Sequence, residues 1–214
     1  MTIASNLKAI TSSLPKEVAL VAVSKTKPNT AILEAYQAGQ RIFGENKAQE
    51  LAQKAEELPK DIAWHMIGHL QTNKVKFITP FVSLIHGVDS LKLLKEINKR
   101  AKQNNRIIDC LLQVHIATES SKFGFGINEV KSALNQAEEF ENIKIVGLMG
   151  MATFTDETQQ LSQEFKSLKT VFDSIKNDHI TTLSMGMSGD YNLAIEQGST
   201  MIRVGSAIFG HRNK

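Results

Sequence analysis

The sequence is short of cysteine and tyrosine, and each shortage removes a class of function. Cys110 is the only cysteine in 214 residues, so no intrachain disulfide forms and no Cys-rich metal site exists. It lies in the apolar run Ile107-Ile108-Asp109-Cys110-Leu111-Leu112, where a small buried core residue is expected rather than a catalytic thiol. No apolar run is long enough to span a bilayer, and Met1–Ser13 lacks an apolar signal region, so the expectation is a cytoplasmic protein with no membrane partner. The net charge is only +3. The densest cationic stretch, Lys92, Lys95, Lys99, Arg100, Lys102 and Arg106, follows a helical pattern and reads as a solvated face, so no nucleic-acid partner is expected. No Ser-His-Asp order, P-loop or dinucleotide fingerprint is present.

What is present is alternation. Val18–Ser24 is a nearly unbroken apolar stretch, the mark of a strand buried on both faces. Pro28 fits the first turn of a helix that Gly39 ends. Further strands are expected over Arg41–Phe43, Ile62–Ile67, Ser83–Val88, Ile107–His115, Ile143–Met149, Thr181–Met185 and Met201–Val204. Between them run helical patterns. These cover Lys47–Leu58, a short segment near Thr72–Ile78, and a helix capped by Asp89 or Ser90. Others run from an Asn128 cap to Phe140, over Glu157–Lys176 and over Gly189–Gln197. Strands separated by helices imply a parallel sheet, and eight such units in one domain over 1–214 favour a closed (β/α)₈ barrel. An N-terminal helix, Asn6–Ser12, is expected to pack against the barrel or cover one end.

In such barrels the working groups stand where strands end, on the C-terminal face. Strands 7 and 8 run into Met185-Gly186-Met187-Ser188-Gly189-Asp190 and Arg203-Val204-Gly205-Ser206-Ala207. Glycine lets backbone approach an anion, and free amides, hydroxyls and a helix end bind it. Either turn alone reads as a plain turn, with Ser188 as a helix cap; two on adjacent strands point to phosphate. Lys25 ends strand 1, where partial desolvation, and Lys27 nearby, favour the neutral amine that a Schiff base needs. Closure makes strand 1 the neighbour of strand 8. A ligand with an aldehyde at one end and a phosphate at the other would bridge Lys25 and the turns, and pyridoxal 5′-phosphate has that layout. Arg203, a charge in an apolar strand, needs a partner. The choices are a core carboxylate such as Glu45 or Asp190, or the pyridine nitrogen of the ligand, where a fixed cation weakens the ring as an electron sink. His65 and His69 are four apart on a strand, so metal is not expected. His69 at a strand end is a candidate for the ligand or for structure, and Asn46 a candidate to bond or cover the ring. Met149, Met151, Met185 and Met187 cluster at strand ends as core fillers or ligand contacts. Lys122 reads as a surface lysine.

These residues carry a resemblance. Val21-Ala22-Val23-Ser24-Lys25-Thr26-Lys27-Pro28, Phe43-Gly44-Glu45-Asn46, Trp64-His65-Met66-Ile67-Gly68-His69-Leu70-Gln71, Leu183–Asp190 and Gly198–Gly210 resemble the pyridoxal-phosphate homeostasis proteins across essentially the whole chain. The resemblance implies the barrel of alanine racemase, fold type III, without that enzyme's C-terminal β-domain. It implies pyridoxal phosphate bound covalently on Lys25, with Ser188, Gly205 and Ser206 in the phosphate cup and Arg203 on the pyridine. Position 206 is often threonine in that family, and serine keeps the hydroxyl. Asn46, His69 and Met185 complete the candidate cofactor-binding set. The implied role is control of the free cofactor pool, with apo-enzymes as acceptors, and no dedicated enzyme reaction. A racemase-like enzyme lacks its second base, because the only tyrosines, Tyr36 and Tyr191, lie on helical patterns. A Schiff-base aldolase on a sugar phosphate, using the same lysine and cup, stays open. A monomer is expected.

Overall fold

A computed structural model describes residues 2–119 and 123–210 of the chain. Eight parallel strands close into a barrel in sequence order, with β8 paired back to β1. The strands are β1 (Ala19–Val23), β2 (Ile42–Glu45), β3 (Ala63–Met66), β4 (Leu84–Val88), β5 (Ile108–Val114), β6 (Ile143–Gly150), β7 (Thr182–Ser184) and β8 (Met201–Val204). The helices are α1 (Ile3–Ser13), α2 (Asn29–Gln37), α3 (Ala48–Glu57), α4 (Leu91–Gln103), α5 (Val130–Ala137), α6 (Thr158–Asp173), α7 (Tyr191–Glu196) and α8 (Ser206–Phe209). A 3₁₀ segment over Thr72–Phe77 takes the helix's place between β3 and β4.

The alternation of each strand sorts its residues into two clusters, as period-2 geometry requires. Outward residues such as Leu20, Phe43, Trp64, Cys110 and Leu183 join the inner stripes of the helices in the larger core. Inward residues, including Val21, Val23, Ile67, Leu111 and Met149, fill the barrel. Two glycines permit the closure. A Cβ on Gly147 would lie 1.7 Å from the Thr182 carbonyl oxygen, where β6 meets β7, and one on Gly44 would lie 2.9 Å from Val21 Cγ1 inside the barrel.

Several boundaries shift for local reasons. Pro28 stands at the N-cap of α2, one residue before the helix. Ser90 caps α4, its hydroxyl accepting from the Leu93 amide. Asn128 caps nothing. It lies within a 3₁₀ turn over Ile127–Glu129, and the Glu129 carboxylate accepts from the Gly126 amide instead. An acid three residues on satisfies the free amide better than the asparagine inside the turn. Helix α1 packs on α2 and α8, and Asn6 Nδ2 donates to the Ile208 carbonyl. It thus flanks the four-residue α8, burying Leu7 and Ile10.

Candidate functional site

Register places the ends of β1 and β8 side by side. Val21 pairs with Arg203 and Ala22 with Val204, and a Cβ on Gly205 would lie 3.3 Å from Val23 Cβ and from its carbonyl. Lys25 follows Val23 by two, in the turn that leaves β1 at this end of the barrel. Its side chain is half-buried. Lys27 reinforces the approach, its Nζ donating to the carbonyls of Phe209, at 2.9 Å, and Gly210, at 3.1 Å.

The Ser24–Lys27 turn is tightly held. Thr26 adopts φ 64°, a left-handed conformation that costs a threonine about 1–3 kcal/mol. Its amide donates to Glu50 Oε1 at 2.7 Å, and its hydroxyl to the Lys25 carbonyl at 2.6 Å. Behind it lies a buried ion cluster. Lys54 Nζ donates to Glu45 Oε1 and Glu50 Oε1, both at 2.7 Å, and to the Ser24 carbonyl at 2.9 Å. Ser24 Oγ donates to the same Glu45 oxygen at 2.6 Å. Burial pushes the Glu45 carboxyl up, and the bonds from Lys54 and Ser24 pull it back. Lys54 was not foreseen. Its signal is its place on the buried face of α3 with Ala48 and Leu51, a lysine where a leucine fits.

Across the mouth, Ser188 does not cap α7. Its hydroxyl accepts from the Gly205 amide at 3.0 Å and the Ala207 amide at 3.5 Å. The Asp190 carboxylate instead accepts from the Met187 amide. The 186–188 and 205–207 turns therefore face each other, with a hydroxyl oxygen seated on the amides that an anion would use. Ser206 is exposed at the start of α8. Gly186 takes φ +97°, which needs glycine.

Arg203 lies inside the barrel, 4% exposed. Among the described residues neither Glu45 nor Asp190 forms an ion pair with it. Its Nη1 donates to Ser184 Oγ at 2.6 Å and its Nη2 to the Gly150 carbonyl at 3.0 Å, both neutral oxygens. Burial lowers its pKa to about 10, with Asp190 opposing, so it stays a cation at neutral pH. A buried guanidinium satisfied only by neutral acceptors suits a neutral ligand nitrogen.

The other candidates are placed unevenly. Met185 takes the core-filling alternative of the two open to it. It is fully buried in the core shared with the helices, because it has the outward parity of Leu183, so it braces the turn rather than presenting its thioether to the mouth. Asn46 follows β2 half-buried, its backbone packed against Gly68. His69 is exposed at the mouth. Its Nδ1 meets Asp89 Oδ2 at 2.9 Å, and its ring stacks on Phe123 at 4.1 Å. Among the described residues, neither Asn46 nor His69 hydrogen-bonds to the two turns. His65 lies below, buried and bonded to His86. No cluster that could hold a metal ion occurs among the described residues, and none of their helices is long and apolar enough to cross a membrane. Lys122 lies outside the described residues.

Known proteins match this arrangement. The family model "Alanine racemase, N-terminal domain" matches residues 1–213. A pyridoxal phosphate homeostasis protein of Synechocystis is 40% identical over 208 residues, covering 95% of each chain. One from Aquifex aeolicus is 38% identical, covering 90% of this chain and 86% of its own. The solved structure of PipY from Synechococcus elongatus, with PLP bound, superposes with a TM-score of 0.89 at 36% identity, covering 98% of this chain and all of that one. The alanine racemase of E. faecalis shares the fold alone, with a TM-score of 0.78 at 18% identity. This chain spans 58% of its length. Barrel, turns and whole-length similarity together establish that the chain belongs to the pyridoxal phosphate homeostasis protein family, within the alanine racemase N-terminal domain family.

Proposed function

We propose that this protein binds pyridoxal 5′-phosphate as a Schiff base on Lys25 and serves intracellular cofactor homeostasis, passing its cargo to apo-enzymes. The observation that carries the reading is the closure of β1 on β8. It joins the strand that leads into Lys25 to the 205–207 turn, whose Gly205 and Ala207 amides converge on the Ser188 hydroxyl, and this supports an anion site next to that lysine. The fit of the residues follows from their chemistry. The Gly205 and Ala207 amides, with the Ser188 and Ser206 hydroxyls, grip the phosphoryl group. Arg203 donates to the unprotonated pyridine nitrogen. Asn46 and His69 would border the ring, and Met185 stays in the core behind it. A relative of the same fold solved with PLP bound supports the same cargo here.

The reading takes residues 1–214 as one domain and the protein as a cytoplasmic monomer without dedicated turnover. A permanently cationic Arg203 makes the bound ring a weak electron sink. Tyr36 donates to Asp61 outside the barrel, and Tyr191 packs on the outer core, so neither is set as a second base. The test is an absorbance spectrum of purified protein. A yellow protein whose colour is lost in Lys25→Ala and discharged to an added apo-enzyme, and in a separate sample bleached by borohydride with the cofactor left fixed on Lys25, supports the reading. A colourless protein that cleaves a phosphorylated sugar favours the aldolase, and robust racemisation of a free amino acid overturns the carrier role.

A further inference from the structure

Inside the barrel, a hydrogen-bonded chain crosses from β8 to β3. Arg203 Nη1 donates to Ser184 Oγ at 2.6 Å. Ser184 Oγ lies 3.1 Å from His86 Nδ1. His86 Nε2 lies 3.0 Å from His65 Nδ1. All four side chains are buried, Ser184 and His86 completely. Strand adjacency explains β7–β8 and β3–β4, and the His86–Ser184 bond spans the barrel from β4 to β7.

The chemistry of the donors fixes the direction of every proton. Arginine only donates, so Ser184 Oγ accepts from it. The serine proton then needs an acceptor, and His86 Nδ1 is in place. His86 therefore carries its hydrogen on Nε2 and gives it to His65 Nδ1. His65 in turn carries its hydrogen on Nε2. The reverse order would have Oγ accept from both sides and strand its own proton. Both rings are neutral in this arrangement. Burial lowers His65 to about 4, and burial together with His65 and Arg203 holds His86 well below the ordinary range. His65 borders a cavity of about 440 Å³ at the N-terminal end of the barrel, where Asp109, Lys144, Asp178 and His179 are the other ionisable groups.

We infer that Ser184, His86 and His65 form a positioning relay that fixes the guanidinium of Arg203 under the cofactor ring, running from the opposite end of the barrel to the ligand site. The relay acts by keeping one Ser184 lone pair committed to Arg203. With its proton given to His86, the hydroxyl oxygen is a stronger acceptor, because hydrogen bonds in series polarise one another. The guanidinium plane is thereby set, and its remaining N–H groups keep one direction.

Two measurements test it. The first uses the unmodified protein without cofactor and stands apart from the Lys25 reading. Histidine ¹⁵N NMR from about pH 8 to about pH 5 should show His86 and His65 neutral, both with the hydrogen on Nε2. Titration of His86 in that range, or a hydrogen on its Nδ1, overturns the relay. The second compares His86→Asn with His86→Leu. Asparagine keeps an acceptor for the Ser184 proton; leucine keeps none but suits a buried site better. His86→Asn should hold pyridoxal phosphate within about threefold of the parent and keep its absorbance maximum. His86→Leu and Ser184→Ala should each bind about tenfold more weakly, the effect of one bond to a charged group. Leucine binding as well as asparagine would show that His86 only fills space, and overturn the inference. Failure of every variant and the parent to take up colour would instead refute the Lys25 reading.

Discussion

Lys54→Met tests whether the buried ion cluster under the Ser24–Lys27 turn is required for stability. Methionine keeps most of the lysine stem, so no large cavity opens. What is lost is the ammonium that bonds Glu45, Glu50 and the Ser24 carbonyl at 2.7, 2.7 and 2.9 Å. Glu45 is fully buried, and its Oε2 already lacks a hydrogen-bond partner. Breaking a buried pair from one side costs about 3–5 kcal/mol, because the remaining charge is uncompensated. That is a large share of the ~5–15 kcal/mol typical of a domain. The carboxyl escapes part of the cost by taking up a proton. Burial already raises Glu45 above the ordinary carboxylate value, opposed by Lys54 and Ser24, and removing Lys54 raises it further. A raised carboxyl holds its proton more firmly folded than unfolded. Its penalty is therefore absent below the unfolded pKa and grows as pH rises toward the folded one. Urea unfolding at about pH 8 should show the loss of ~3–5 kcal/mol with unchanged m, and a smaller loss near pH 5. Adding Glu45→Gln should recover most of it. A loss below ~1 kcal/mol at pH 8, or one that grows on acidification, would refute the reasoning.

Gly147→Ala should cost at least ~3 kcal/mol or abolish folding, because the new methyl meets the Thr182 carbonyl at the β6–β7 contact; thermal unfolding reads this directly. Ser188→Ala leaves the Gly205 and Ala207 amides without their acceptor. It should lower stability by only ~1 kcal/mol and weaken pyridoxal phosphate binding about tenfold in equilibrium titration. Cys110 is fully buried, and burial drives its thiol far above the ordinary range. A thiol reagent should therefore label native protein on the order of a thousandfold more slowly than urea-unfolded protein, and rapid native labelling would contradict the described core.

Much of the site was legible because its residues sit at ends of strands that alternation marks out. The Gly/Ser turns after β7 and β8 and the lysine after β1 could be read as strand ends from hydropathy alone. Less was legible where side-chain direction mattered. Met185 was grouped with the mouth by position, but the parity of β7 turns it into the outer core. For Ser188 the sequence weighs a helix cap against an anion site, and only the fold shows its hydroxyl accepting from the Gly205 amide seventeen residues away. His65 stands four residues before His69, a spacing that predicts no shared site. Its actual partner is His86, twenty-one residues on and on the neighbouring strand.

The chain by itself determined the order of strands and helices, and with it the parallel barrel, because hydrophobic period and glycine or proline stops are local properties. It also determined which residues could carry amine and anion chemistry. Tertiary structure alone decided which of them meet. The contact of Val23 with Gly205, the Lys54–Glu45 cluster and the Arg203–Ser184–His86–His65 chain each join residues distant in sequence. Closure of the barrel and the register of its strands create these contacts, and no local pattern pairs residues across the barrel.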